Sequence, residues 1–236
     1  MSTEDCSYSE TRNNRMKKSI EKITYCFVII AALFVSFVSF VEPLVMKDIN
    51  ITKVILVLLC YAAVFTGSLT LFRQLSERAL YYLIIAGIFA AVIVQTYIVF
   101  HMRLVPEVDL NHIYDYCVDM VETGKISYAE SKYFAYNTNN IPLAIVIYYV
   151  FRMASFAGMD YRIAGGLFNV LLILVMYVSA FFILKKVTTI QTTAVYMALL
   201  LTNPSFYAYA SYYYTDTISA GLVMAGVGFI IYGCYK

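Results

Sequence analysis

Charge is what this 236-residue sequence has least of: Asp, Glu, Lys and Arg make up only 14% of it, against 61% hydrophobic residues and a mean hydropathy of +0.73. That scarcity excludes a water-soluble globular domain, which could not hide so large an apolar share by folding on itself. Seventeen basic against fifteen acidic residues leave a net charge of +2, without the basic excess that a nucleic-acid partner needs. The five cysteines make no disulfide framework: Cys26, Cys60 and Cys234 fall inside apolar runs, Cys6 in a polar N-terminal stretch and Cys117 alone in a polar loop. Tryptophan is absent and tyrosine occurs 23 times, often at the edges of apolar runs, where an aromatic belt would sit. There is no glycine-rich phosphate loop; the "GGLFN" at Gly165 lies inside an apolar run, where glycine more often permits close helix packing.

What is present is a series of long apolar runs. A helix needs roughly twenty apolar residues to cross the hydrocarbon core, and six runs meet that need: Ile23–Val45, Val54–Phe72, Leu80–Phe100, Tyr161–Leu184, Thr193–Tyr209 and Ile218–Tyr235. The first is too long for a signal-peptide core, and Glu42-Pro43 is a poor cleavage site. Its polar flank carries Arg12, Arg15, Lys17, Lys18 and Lys22, which belong on the cytoplasmic side. A shorter run, Ile141–Gly158, holds Arg152. As a seventh span it would put Lys185 and Lys186 outside, against the positive-inside rule; laid along the outer surface it leaves them cytoplasmic with Arg73 and Arg78. The expected architecture is an all-α polytopic membrane protein of about six transmembrane helices, multi-pass in the cell membrane with its N-terminus cytoplasmic. Residues 1–22 form a basic tail, 23–100 three spans, 101–160 one long external loop with amphipathic juxtamembrane helices, and 161–236 three more spans.

The acids gather in that loop: Glu107, Asp109, Asp115, Asp119, Glu122, Glu130 and Asp160. From Asp109 onward Leu110, Ile113, Tyr114, Cys117, Val118 and Val121 recur at helical spacing, with Asp109 at the start and Gly124 just past the end. The spacing predicts an amphipathic helix with its stripe in the lipid interface. Asn140, followed by Pro142, is expected to cap the helix over Ile141–Gly158. His112 stands three residues after Asp109 and His101 at the membrane edge; two histidines and an acid are ligand types for a divalent metal ion, though no further matched spacing supports one.

An apolar run followed by "VPEVD" (Val105 to Asp109), surface helices, "YFAYNTNNIPLA", the Arg-led run "YRIAGGLFNVLLILVMYVSAFFILKK" and the edge "LLLTNPSFYAYASYYYTDT" come in a telling order. From about Leu104 onward this order resembles the N-terminal half of the polyprenyl-phosphate-dependent glycosyltransferases of GT-C fold, which include protein O-mannosyltransferases and aminoarabinose transferases. The resemblance implies a sugar moved from a polyprenyl-phosphate carrier to an acceptor on the outer face. Asp109 matches the acid that serves as general base or helps organise a metal ion, and Asp216 the second acid of the same cavity. Arg162 matches the arginine facing the lipid-linked phosphate, with His112 and Tyr214 as substrate-side neighbours. A base for the acceptor proton and a cation for the departing phosphate are what such a transfer requires, and an Arg fork suits phosphate.

Each residue also has a structural account. Asp109 and Asp216 can cap helices, Arg162 can anchor a span at the interface, and Asp115, Asp119 and Glu122 can line a solvated face. A non-catalytic membrane protein, such as a lipid-handling or assembly subunit, is the alternative. A small transporter fits less well, because the acids crowd one edge and no internal repeat is present. Two spans precede the one that opens the family pattern, and the family's members are longer, so the resemblance is to an N-terminal portion and does not by itself imply activity of the chain alone.

Overall fold

The computed structural model describes residues 70–102 and 108–234, together with Leu59, Thr66 and Gly67. The chain divides into two compact units, Met1–Thr70 and Leu71–Lys236, and the second holds nearly everything described. The basic tail, the Ile23–Val45 span and most of Val54–Phe72 lie outside the described residues, as do Glu107 and most of "VPEVD".

Every regular element among the described residues is helical. Helix α1 (Glu77–His101) starts where the Ser76 hydroxyl accepts from the Ala79 amide, with Glu77 in the first turn. It buries Leu80, Ile84, Ile88, Ala91, Gln95 and Val99, one stripe at helical spacing, and leaves Tyr82, Phe89 and Ile93 exposed on the rest. A soluble helix would make that outer face polar. Four shorter elements follow: α2 (Val108–Glu122), α3 (Tyr128–Tyr136), a 3-10 turn at Thr138–Asn140 and α4 (Ile141–Phe156). Helix α5 (Tyr161–Val187) opens on Asp160, whose carboxylate accepts from the Arg162 and Ile163 amides, and ends on Lys185 and Lys186, cations at the negative pole of its dipole. Next come α6 (Ile190–Leu201), the single turn α7 (Ser205–Ala208) and α8 (Thr215–Cys234). Both α1 and α5 are long and apolar enough to cross a membrane, which marks the chain as membrane-associated.

Side-chain pairs fix the directions. Val99 meets Gly166 near one end of the α1–α5 pair and Tyr81 meets Phe181 near the other, so the two run antiparallel. Gly221 of α8 lies on Leu172, and Lys186 sits over the Tyr232 ring, so α8 runs parallel to α5. The close approach depends on Gly221: an added Cβ would run into the Leu172 carbonyl.

The run Thr193–Tyr209, expected as one span, is not a continuous helix. Helix α6 is 12 residues long, about 18 Å, and its last residue, Leu201, reaches only Gly87 of α1. Proline lacks an amide hydrogen and pushes the preceding residue out of the α region, so Asn203-Pro204 ends the helix. The Tyr207 hydroxyl then takes up the freed Leu201 carbonyl, and the chain stays irregular, apart from α7, up to Tyr214.

The apolar stripe of α2 is also placed differently from expectation. Leu110, Ile113 and Cys117 are 0% exposed, closed within the protein among Leu143, Ala144, Ile147 and Phe151 of α4. A neighbouring helix, once present, covers the stripe at least as well as lipid would. The predicted stop is where it was expected, with Gly124 at φ 69.

Candidate functional site

Asp109 stands in the first turn of α2, immediately after Val108, whose φ of 51 is a left-handed value that a β-branched residue rarely adopts. Tyr214 ends the irregular segment and leads into α8. Its hydroxyl donates to Asp109 Oδ2 at 2.9 Å, across 105 residues of sequence. The carboxylate of one predicted motif is thus tied to the edge of the other.

A second phenol flanks the same acid. Tyr133 of α3 is 9% exposed and accepts a 2.6 Å hydrogen bond from Asn140 Nδ2. Burial pushes its hydroxyl up to about 12; the Asn140 bond opposes that shift and the neighbouring Asp109 carboxylate adds to it. Asn140 was expected to cap α4; it makes no cap bond, its backbone lying in the α region and its Oδ1 accepting from Asn139 Nδ2 while its Nδ2 donates to Tyr133. Proline does stand in the first turn of α4, as predicted.

His112 lies one turn beyond Asp109 and stacks on Tyr133, with ring centroids 4.3 Å apart and planes at 20°. Its Nδ1 is buried without a hydrogen bond and is 3.8 Å from Oε1 of Glu130, a carboxylate whose side chain is 8% exposed. Asp115 accepts a 2.8 Å bond from Asn111, and its carboxyl is raised above the ordinary aspartate range by burial first and by Glu130 second. Glu130 is thus a buried carboxylate, and Asp115, expected on a solvated face, is half-buried.

Arg162 stands in the first turn of α5 and reaches α2. Its guanidinium lies 5.5 Å from the centroid of the Tyr114 ring, on α2, in a cation–π contact. Tyr114 meets Phe151, and Phe151 meets Tyr161 and Tyr213, so an aromatic cluster lies beside the arginine. The Tyr213 hydroxyl is buried with no hydrogen-bond partner, and its ring fills the space that a side chain on Gly165 would take. Gly165 is thus a packing glycine, as the sequence implies.

Asp216 is the second residue of α8, so its backbone lies in the turn after Tyr214; its side chain is outside what the structure describes. His101 stacks on Tyr97 and bonds the Tyr97 carbonyl at 2.9 Å through Nδ1. Among the described residues no group of three or more His, Cys, Asp or Glu could hold a metal ion. No protein family, curated protein or solved structure matches this chain.

Of the five residues predicted for the site, Asp109, His112 and Tyr214 come together, Arg162 reaches the same helix α2 through Tyr114, and Asp216 follows Tyr214 in sequence. Glu130, Tyr133 and Asn140 were not predicted for the site, Asn140 having been read as a helix cap alone. The Asn-rich stretch "YNTNN", polar but uncharged inside an ordered loop, was the available signal. Chemically, the arrangement holds one carboxylate by a phenol donor, beside a second phenol, Tyr133, whose ring stacks on the His112 imidazole. Oriented carboxylates and aromatic faces are what a sugar or another polyol meets in a binding cleft.

Proposed function

We propose that the chain is a GT-C-type membrane glycosyltransferase, or part of one, that moves a sugar from a polyprenyl-phosphate carrier to an acceptor on the non-cytoplasmic face. In this reading there are six spans, the N-terminus is cytoplasmic, and residues 101–160 lie outside. Asp109 takes the acceptor proton as the glycosidic bond forms, and Arg162 steadies the departing lipid phosphate. Asp216 supplies a second carboxylate, while Tyr214 and His112 orient the substrate. The observation that carries the reading is the Tyr214–Asp109 hydrogen bond, which joins the two sequence edges on which the family resemblance rests.

The test is sugar transfer from polyprenyl-phosphate-linked donors by the full chain in lipid vesicles. Transfer is expected to fall by about two to four orders of magnitude in Asp109→Asn, the loss typical of a missing general base. Unchanged transfer in that variant removes Asp109 from the mechanism. Labelling that puts Asp109 and Asp216 on opposite sides of the bilayer removes the whole reading.

One observation favours a non-catalytic alternative: Asp109 already accepts a hydrogen bond within the protein, as a structural tie between α2 and α8 would. In that case the chain is a lipid-handling or assembly subunit, and no donor is turned over.

A further inference from the structure

Two amide side chains sit where an apolar helix has no need of them. Gln95 of α1 and Asn169 of α5 are both 0% exposed, each within a helix long enough to cross a membrane. Asn169 Nδ2 donates to the Tyr209 carbonyl at 2.9 Å and to the Ala210 carbonyl at 3.0 Å. Gln95 Nε2 donates to the Phe206 carbonyl at 3.2 Å and to the Tyr177 hydroxyl at 3.0 Å. Of an amide's two ends only the NH2 can bond a carbonyl oxygen, so the orientation of the Asn169 amide is forced. Both amides leave their own oxygen buried and unbonded. Helix packing alone does not account for that cost, since leucine would fill either position without it.

All three backbone carbonyls belong to the irregular segment between α6 and α8. Exposed carbonyls are not tolerated in lipid, and broken backbone survives at membrane depth only where protein satisfies it. A third tie, Ser211 Oγ to the Met102 carbonyl at 3.2 Å, holds the segment to the end of α1. Three residues past Ser211 comes Tyr214, with its hydroxyl on Asp109.

We propose that Asn169, with Gln95 behind it, is a positioning residue: its amide holds the broken segment in the one conformation that delivers Tyr214 to Asp109. Neither amide touches the Asp109 carboxylate; both act through the backbone of 206–210. The positioning of Tyr214 stands on geometry alone, and its catalytic meaning rests on the transferase reading above.

The experiment compares the full chain in vesicles with Asn169→Asp, which keeps the shape but offers two carbonyls at most the single hydrogen of a protonated carboxyl. Hydrogen exchange is read along the backbone, and 3-fluorotyrosine at position 214 gives a fluorine resonance that senses its hydrogen bond. Loss of the donor is expected to speed exchange by about tenfold or more in 203–214 while α1 keeps its protection. The fluorine resonance is expected to move to where Asp109→Ala puts it. Gln95→Leu is expected to do the same more weakly, and it stands in should Asn169→Asp fail to fold. Unchanged exchange in 203–214, an increase shared equally by α1, or an unmoved fluorine resonance overturns the proposal. No sugar donor enters either readout, so the transferase reading can fail while this one stands, and the reverse.

Discussion

Helix α5 and the stretch from Ile190 to Tyr214 look alike as apolar sequence yet fold differently. Helix α5 runs unbroken for 27 residues, with a carboxylate at its start and two lysines at its end. The other stretch stops after a 12-residue helix and continues as turns. Hydropathy tells where a chain avoids water, not whether its backbone stays helical. Continuity is decided by Asn203-Pro204 and by whether a neighbouring helix offers donors to the carbonyls that a break releases. For α5 no such question arises, because its backbone satisfies itself.

The largest expected effect comes from disturbing the straight partner. Gly221→Leu would drive a side chain into the Leu172 backbone, which cannot move aside, and should cost about 3 kcal/mol or more in unfolding measured in detergent. Asn169→Leu comes next. It strips two carbonyls of their donor and should cost about 2 kcal/mol, with the loss concentrated in 203–214. Pro204→Ala probes the other cause of the break. Were proline alone responsible, the variant would extend α6; with Asn169 and Gln95 holding the segment, exchange in 203–214 should stay as it is and stability should change by about 0.5 kcal/mol.

The smallest effect concerns pH. The Asp115 carboxyl is raised in the folded chain by burial and by Glu130, with Asp119 adding to the shift and His112 and Asn111 opposing it. A raised carboxyl favours the folded state while protonated. That contribution is full below the ordinary 3.8 and is lost as pH rises through the higher folded value. Asp115→Asn should therefore flatten the fall in stability over that window, read as thermal unfolding against pH.

How much of this was legible in the sequence differs by region for physical reasons. Long uniform runs such as Glu77–His101 and Tyr161–Val187 announce themselves, because nothing inside them competes with the helix. The stripe from Leu110 to Val121 was legible as a helix, but what would cover it was not: periodicity gives a face without naming its partner. Asp109 and Tyr214 were each visible at an edge, whereas their contact depends on the course of 202–214, which is set by amides on two distant helices. Gln95 and Asn169 were hidden among apolar neighbours. The burial of Glu130 was not legible either, because sequence does not show that His112 would come against it.

The account turns on two remote stretches of sequence forming one site, and a double-mutant cycle of Asp109→Ala and Tyr214→Phe, read as unfolding free energy, tests this most directly. A hydrogen bond to a carboxylate should give a coupling of about 1 kcal/mol or more. Two losses that simply add, to within about 0.3 kcal/mol, would contradict it.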